Sequence, residues 1–123
     1  MLKVLVAVAI LLAALGNASA ETALQATASC REVVKGLRPD GQIHMPPAGQ
    51  FCWGAFGVLQ AMARVKMSAD SANTLLGMCP GEKVTRSQMV LVFLRYADNN
   101  PAQLDDEFPF IALRALQEAF PCK

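Results

Sequence analysis

Four cysteines, Cys30, Cys52, Cys79 and Cys122, most restrict what this 123-residue chain can fold into. None falls within the first twenty residues. An even set of cysteines in a short exported chain reads as a disulfide framework, not as a redox or metal site. Such a framework sets the compartment, anchors a small core and leaves no thiol for chemistry.

Export is read from the N-terminus. Lys3 supplies a positive start, Val4 to Leu15 is an uncharged apolar run, and Asn17-Ala18-Ser19-Ala20 ends in a small-x-small pattern. That layout predicts a secretory signal over 1–20, cleaved after Ala20. The run is shorter than the about 20 apolar residues that a membrane-spanning helix needs. Residues 21–123 then form one domain by length. Removing Lys3 leaves ten basic and ten acidic residues, a formal charge of zero. No basic stripe suits nucleic acid, and no Lys/Arg-rich amphipathic face suits a membrane surface.

The mature segment reads as helices joined by turns. A first helix is expected over about Thr22 to Leu37, with a soft stripe of Leu24, Ala28, Val33, Val34 and Leu37 and Cys30 in its middle. Arg38-Pro39-Asp40-Gly41 stops it, because the residue before proline avoids helix and Asp-Gly favours a turn. A second helix, about Gln50 to Val65, repeats Phe51, Ala55, Phe56, Val58, Leu59, Met62 and Val65 at three- and four-residue spacing. Gly54 and Gly57 lie one turn apart in it. Glycine costs about 1 kcal/mol there relative to alanine, so a close neighbour is expected against that turn.

A short helix capped by Asp70 or Ser71 is expected within Ser68 to Met78. Thr85-Arg86-Ser87-Gln88 is a capping box opening a helix with Met89, Val90, Val92, Phe93, Tyr96 and Ala97 on its apolar face. Asn99-Asn100-Pro101 ends it. Asp105, Asp106 and Glu107 precede the last helix, where carboxylates complement the positive helix start. Pro109 is tolerated in its first turn. Leu104, Phe108, Ile111, Leu116 and Phe120 mark its buried face, and Pro121 stops it.

The fold class expected is all-α, a four- to five-helix bundle stapled by two disulfides. Short connections make successive helices antiparallel neighbours. That places Cys30 opposite Cys52 across the first hairpin, and Cys79 near Cys122 at one end of the bundle. Cys30–Cys52 and Cys79–Cys122 is therefore the pairing expected, out of three that four cysteines allow.

Chemistry finds little support. Gln50-Phe51-Cys52-Trp53-Gly54 superficially resembles the nucleophile stretch of papain-like proteases, and a cysteine at a helix start can be reactive. The single histidine, His44, lies upstream of that cysteine, whereas the protease histidine lies far downstream. Cysteines 22, 27 and 43 residues apart match no zinc spacing. The acidic run Asp105 to Glu107 lacks the glycine and spaced oxygens of a calcium loop. No phosphate loop or serine-nucleophile motif is present. No catalytic residue, metal or cofactor is expected, and the chain does not read as an enzyme.

Four stretches together carry a resemblance. They are Ser29-Cys30, Phe51-Cys52-Trp53-Gly54, and Met78-Cys79-Pro80 followed by Val84-Thr85. The fourth is Asn100-Pro101-Ala102-Gln103-Leu104 running into Ala115-Leu116-Gln117-Glu118-Ala119-Phe120-Pro121-Cys122. In this order they resemble the Rap/Tai family of type VI secretion immunity proteins, over nearly the whole mature chain. Gly54, Pro80, Pro101, Phe120 and Pro121 are its structural positions here. The resemblance implies a small periplasmic helical domain that admits a homodimer. It also implies a protein partner, a peptidoglycan-degrading effector whose cleft the domain occludes. It transfers no inhibitory residue. Exposed loops carry contacts in general, which singles out Arg38 to Met45, with Arg38, Asp40 and His44, and then the acidic turn Asp105 to Glu107. Arg38 ranks first because arginine anchors interfaces more often than rim acids do. The alternative reading is a small periplasmic chaperone or adaptor without a cognate toxin.

Overall fold

The computed structural model describes residues 20–123. The signal expected over 1–20 therefore lies, except for Ala20, outside the described residues. Among these residues there are four α-helices and no strand. They are α1 (Ala23–Lys35), α2 (Gln50–Met62), α3 (Arg86–Asn99) and α4 (Phe108–Ala119). Short 3-10 turns at Pro47–Gly49 and Pro101–Gln103 lead out of the loops before α2 and after α3. The all-α bundle is as expected, with four helices.

Local chemistry explains the boundaries. Thr85 and Gln88 form the capping box read from the sequence: each side chain satisfies the other residue's free backbone amide. Thr22 and Gln25 form a second one at α1. α2 has no side-chain cap of its own, since Gly49 holds the N-cap position. Its third amide, from Cys52, instead donates to the Ser29 hydroxyl of α1 at 3.2 Å. Ser29 in turn donates to the Ala48 carbonyl at 2.7 Å. One hydroxyl thus ties the two helices together, beside the disulfide that joins them.

Both disulfides match the expected pairing. Cys30–Cys52 joins α1 to α2 with a Cα separation of 5.1 Å, and both residues are fully buried. Cys79–Cys122 joins the segment before α3 to the chain's end with a Cα separation of 4.9 Å. Beside it Met78 pairs with Pro121, and the Cys79 amide donates to the Phe120 carbonyl at 2.8 Å. Loops of these lengths contribute roughly 3 to 4 kcal/mol each in the chain-entropy account.

The core gathers around three rings from three helices. Phe56 of α2, Phe93 of α3 and Phe108 of α4 meet pairwise with centroids 5.3 to 5.9 Å apart. Tilted and edge-on contacts of this kind add about 0.5–1.5 kcal/mol beyond area burial. Met89, Ile111, Leu116, Val33 and Val90 fill the space around them.

Three expectations need correction. Ser68 to Met78 is not a helix. Lys66 pairs with Thr74, and the Leu75 amide donates to the Val65 carbonyl at 2.7 Å, so the chain doubles back. Ser71 accepts from the Asn73 amide, and Thr74 donates to the Met78 carbonyl. Such short polar side chains compete with helical bonding. α1 buries Ala23, Ala26, Thr27, Cys30 and Val33, and exposes Leu24 and Ala28. Its start is rotated because the Ala23 and Leu24 amides donate to the carbonyls of Asp106 and Leu104. Finally, α2 ends at Met62 and buries only Cys52 and Phe56. Phe51, Val58, Met62 and Val65 are exposed.

The disulfides differ in accessibility. A mild thiol reductant applied to the folded protein opens Cys79–Cys122, which is only half-buried, well before the fully buried Cys30–Cys52. Alkylation and peptide mapping over time check the order. Simultaneous opening would mean that the fold does not shield the first pair.

Candidate interaction surface

α2 carries no charged residue. A helix turns about 100° per residue, so its thirteen residues display every direction. One side holds Cys52 and Phe56 against the core. The opposite side carries Gly54, Val58, Ala61 and Met62, all exposed, and at its edge lies Phe51, partly exposed and edge-on to Phe108. The stripe continues past the helix end into Val65, whose carbonyl holds Leu75 in place, and Met67 follows on the same doubled-back segment. Val58 is 59% exposed and Met67 64%. Exposed apolar side chains grouped on one helix face are typical of surfaces that meet another molecule.

The residues singled out from the sequence fall on a separate loop. Leu37 pairs with Ile43, and the Arg38 amide donates to the Gln42 carbonyl at 2.9 Å, closing a small hairpin. Gly41 takes φ +80°, which glycine adopts without steric cost. The Asp40 carboxylate accepts the Gln42 amide at 2.9 Å and so shapes the turn. The His44 amide donates to the Gly36 carbonyl. Arg38, Asp40 and His44 are all exposed, and this one loop brings them together. Asp105, Asp106 and Glu107 are exposed ahead of α4, at a different place in the fold. The family-motif positions divide in the same way. Pro80, Phe120 and Pro121 surround the Cys79–Cys122 bridge, Pro101 opens a 3-10 turn, and Gly54 lies on the open face of α2.

The protease-like stretch is occupied otherwise: Cys52, the residue in the nucleophile position, is bonded to Cys30. Among the described residues no cysteine is free and no group of metal-ligating side chains converges.

The family model of the Rap1a immunity proteins matches residues 11–122. The chain belongs to the Rap1a immunity protein family. No curated protein and no solved structure matches it significantly. Membership implies an immunity function exercised by binding a protein effector. For a Rap1a-family protein the features that matter are therefore those that meet a partner, and the uncharged face of α2 is a candidate among them.

An arginine borders that face. Arg86, the first residue of α3, lays its guanidinium over the Trp53 ring, 4.5 Å from the centroid. It also lies against Gly57, where an added Cβ would come within 2.9 Å of its Cζ. The two glycines thus have different reasons. Gly57 makes room for Arg86, while nothing lies within 4 Å of a Cβ built at Gly54. The sequence pointed to a close neighbour against this turn; it is a guanidinium 29 residues on from Gly57, and none stands against Gly54. The absence of charge along Gln50 to Met62 was the available signal for the open face.

Gly54→Ala stabilises the domain by about 1 kcal/mol through helix propensity alone. Gly57→Ala gives less or none of this gain, because it displaces Arg86 from Trp53. Urea unfolding of both variants, with tryptophan fluorescence as readout, checks the contrast. Equal gains would remove the packing role of Gly57.

Proposed function

We propose that this chain is an exported immunity protein of type VI secretion. It binds a peptidoglycan-degrading effector in the periplasm and covers its substrate cleft, without catalysis of its own. The match to the Rap1a immunity family over residues 11–122 carries the reading. Three further observations support it. The uncharged run Val4 to Leu15 and Asn17-Ala18-Ser19-Ala20 have the layout of a cleavable signal. Two disulfides suit an oxidising compartment. The apolar strip on α2 offers a contact surface that the domain itself leaves uncovered.

Contact is proposed at the α2 strip centred on Val58, and at the Arg38–His44 loop. The strip supplies apolar area without charges to desolvate. The loop supplies Arg38, a residue type that often anchors interfaces. The strip equally suits pairing of two copies, so a homodimer is the competing occupant. The chaperone reading draws on the same exposed side chains, but it requires many unfolded clients rather than one folded partner.

The experiment is capture from periplasmic extract with tagged protein, alongside N-terminal sequencing and sedimentation of the isolated protein. One stoichiometric cell-wall hydrolase, with a mature start at Glu21, is the expected result. Val58→Asp and Arg38→Ala each weaken that capture by about tenfold or more. Capture of many unfolded clients only in acid would replace immunity with the chaperone reading. A dimer abolished by Val58→Asp, with hydrolase capture intact, would assign the strip to self-association.

A further inference from the structure

Beyond the Arg86 guanidinium, the same side of α2 carries Gln60, and Arg64 follows in the turn just past the helix end. These two line one side of a cleft of about 430 Å³. The Pro80–Val84 turn, bearing Glu82, lines the other, and the fully buried Met89 closes the base.

The walls are held in place. Cys79, bonded to Cys122, immediately precedes Pro80, and the Val84 amide donates to the Gly81 carbonyl at 2.9 Å. The Thr85 capping box follows directly. A site held this way loses little freedom when it is filled.

Its donors are underused. Arg64 has no ion pair or side-chain hydrogen bond among the described residues, where the ion pairs are Arg31–Asp98 and Lys35–Glu32. The Gln60 amide reaches the Val84 carbonyl only at 3.4 Å, at the long limit of a hydrogen bond. Arg86 of α3, whose guanidinium lies against Trp53 and Gly57, is also without a carboxylate. Its one hydrogen bond, to the Trp53 carbonyl, is 3.5 Å long, and its Nε is buried with no partner. Glu82 is the one acid that lines the cleft. Arg86 stands beside the cleft and does not line it; within the lining Arg64 is the one cation, and it forms no ion pair with Glu82.

We propose that this cleft receives a carboxylate: an acidic side chain presented by the protein effector. Arg64 pairs with it and the Gln60 amide donates to it. Its methylenes lie on Val84 and Met89. A guanidinium and a carboxylate match in geometry and form charge-assisted hydrogen bonds. Ala61 and Val65 of the open strip alternate with Gln60 and Arg64, so a partner seated on the strip stands at the cleft's mouth. The identity of the occupant rests on the immunity reading. The carboxylate site does not.

The test separates the two. Nitrogen-15 NMR of the disulfide-intact protein is followed during titration with N-acetyl-glutamate N-methylamide, with the glutamine analogue as control. The Gln60 side-chain amide and the Glu82 and Val84 backbone amides shift saturably with the glutamate compound alone. Arg64→Gln weakens the binding by about fivefold, as expected for one exposed ion pair. Glu82→Gln strengthens it by removing the competing carboxylate. Shifts that do not saturate, that are equal for both compounds, or that persist unchanged in Arg64→Gln would overturn the site. In capture from periplasmic extract, Arg64→Glu lowers recovery of the hydrolase. Undiminished recovery would overturn the effector as occupant and leave the immunity reading standing. If wild-type protein captures no hydrolase, the immunity reading and the occupant both fall, and the titration alone decides the site.

Discussion

The buried bond between Cys30 and Cys52 is the contact on which the rest of the bundle depends. It fixes the direction in which α2 leaves α1, and Ser29 beside it supplies the cap that α2 lacks. Four residues after Cys52, Phe56 reaches the rings of Phe93 and Phe108. The disulfide thus sets the position of the fully buried aromatic through which α2 joins the core. An uncharged helix with a glycine at its N-cap would have little reason to hold this orientation alone, since most helical stability comes from packing.

That arrangement explains what could be read from the residues and what could not. Local chemistry was legible. Thr85-Arg86-Ser87-Gln88 forms its capping box, Pro101 opens a tight turn, and Pro39-Asp40-Gly41 makes a turn shaped by the Asp40 carboxylate. The cysteine pairing followed from the order of elements. The face of α2 was not legible, because a stretch apolar on every side does not say which side meets a neighbour. The start of α1 failed for a related reason: its rotation is set by backbone bonds to Leu104 and Asp106, far along the chain. Within Ser68 to Met78 the capping candidate Ser71 accepts the Asn73 amide locally instead, and Thr74 donates to the Met78 carbonyl.

The same contrast holds for the interaction surface. Arg38, Asp40 and His44 were visible as loop residues because turn signals surround them. Neither the Arg86–Trp53 stack nor the cleft beside Arg64 leaves a local trace, since each joins α2 to residues beyond an irregular segment. α2 consequently has three distinct flanks: one in the core, one clasped by Arg86, and one left open. A helix with three apolar or uncharged flanks is costly in solubility. That cost is offset when the open flank is covered.

The backbone bonds at the start of the described chain have a consequence for the order of folding. The Phe108 amide donates to the Glu21 carbonyl, and Thr22 pairs with Glu107. The first residues of α1 therefore find their final neighbours only when the segment leading into α4 exists. Contacts between residues so far apart in sequence are slow to close, because the loop must be ordered before the contact rewards it. In a chain that emerges N-terminus first, α1 and α2 can be crosslinked early, but they wait for α4 to be clamped. The domain has an early half and a late lock, and the lock sits where the two distant ends of its fold meet.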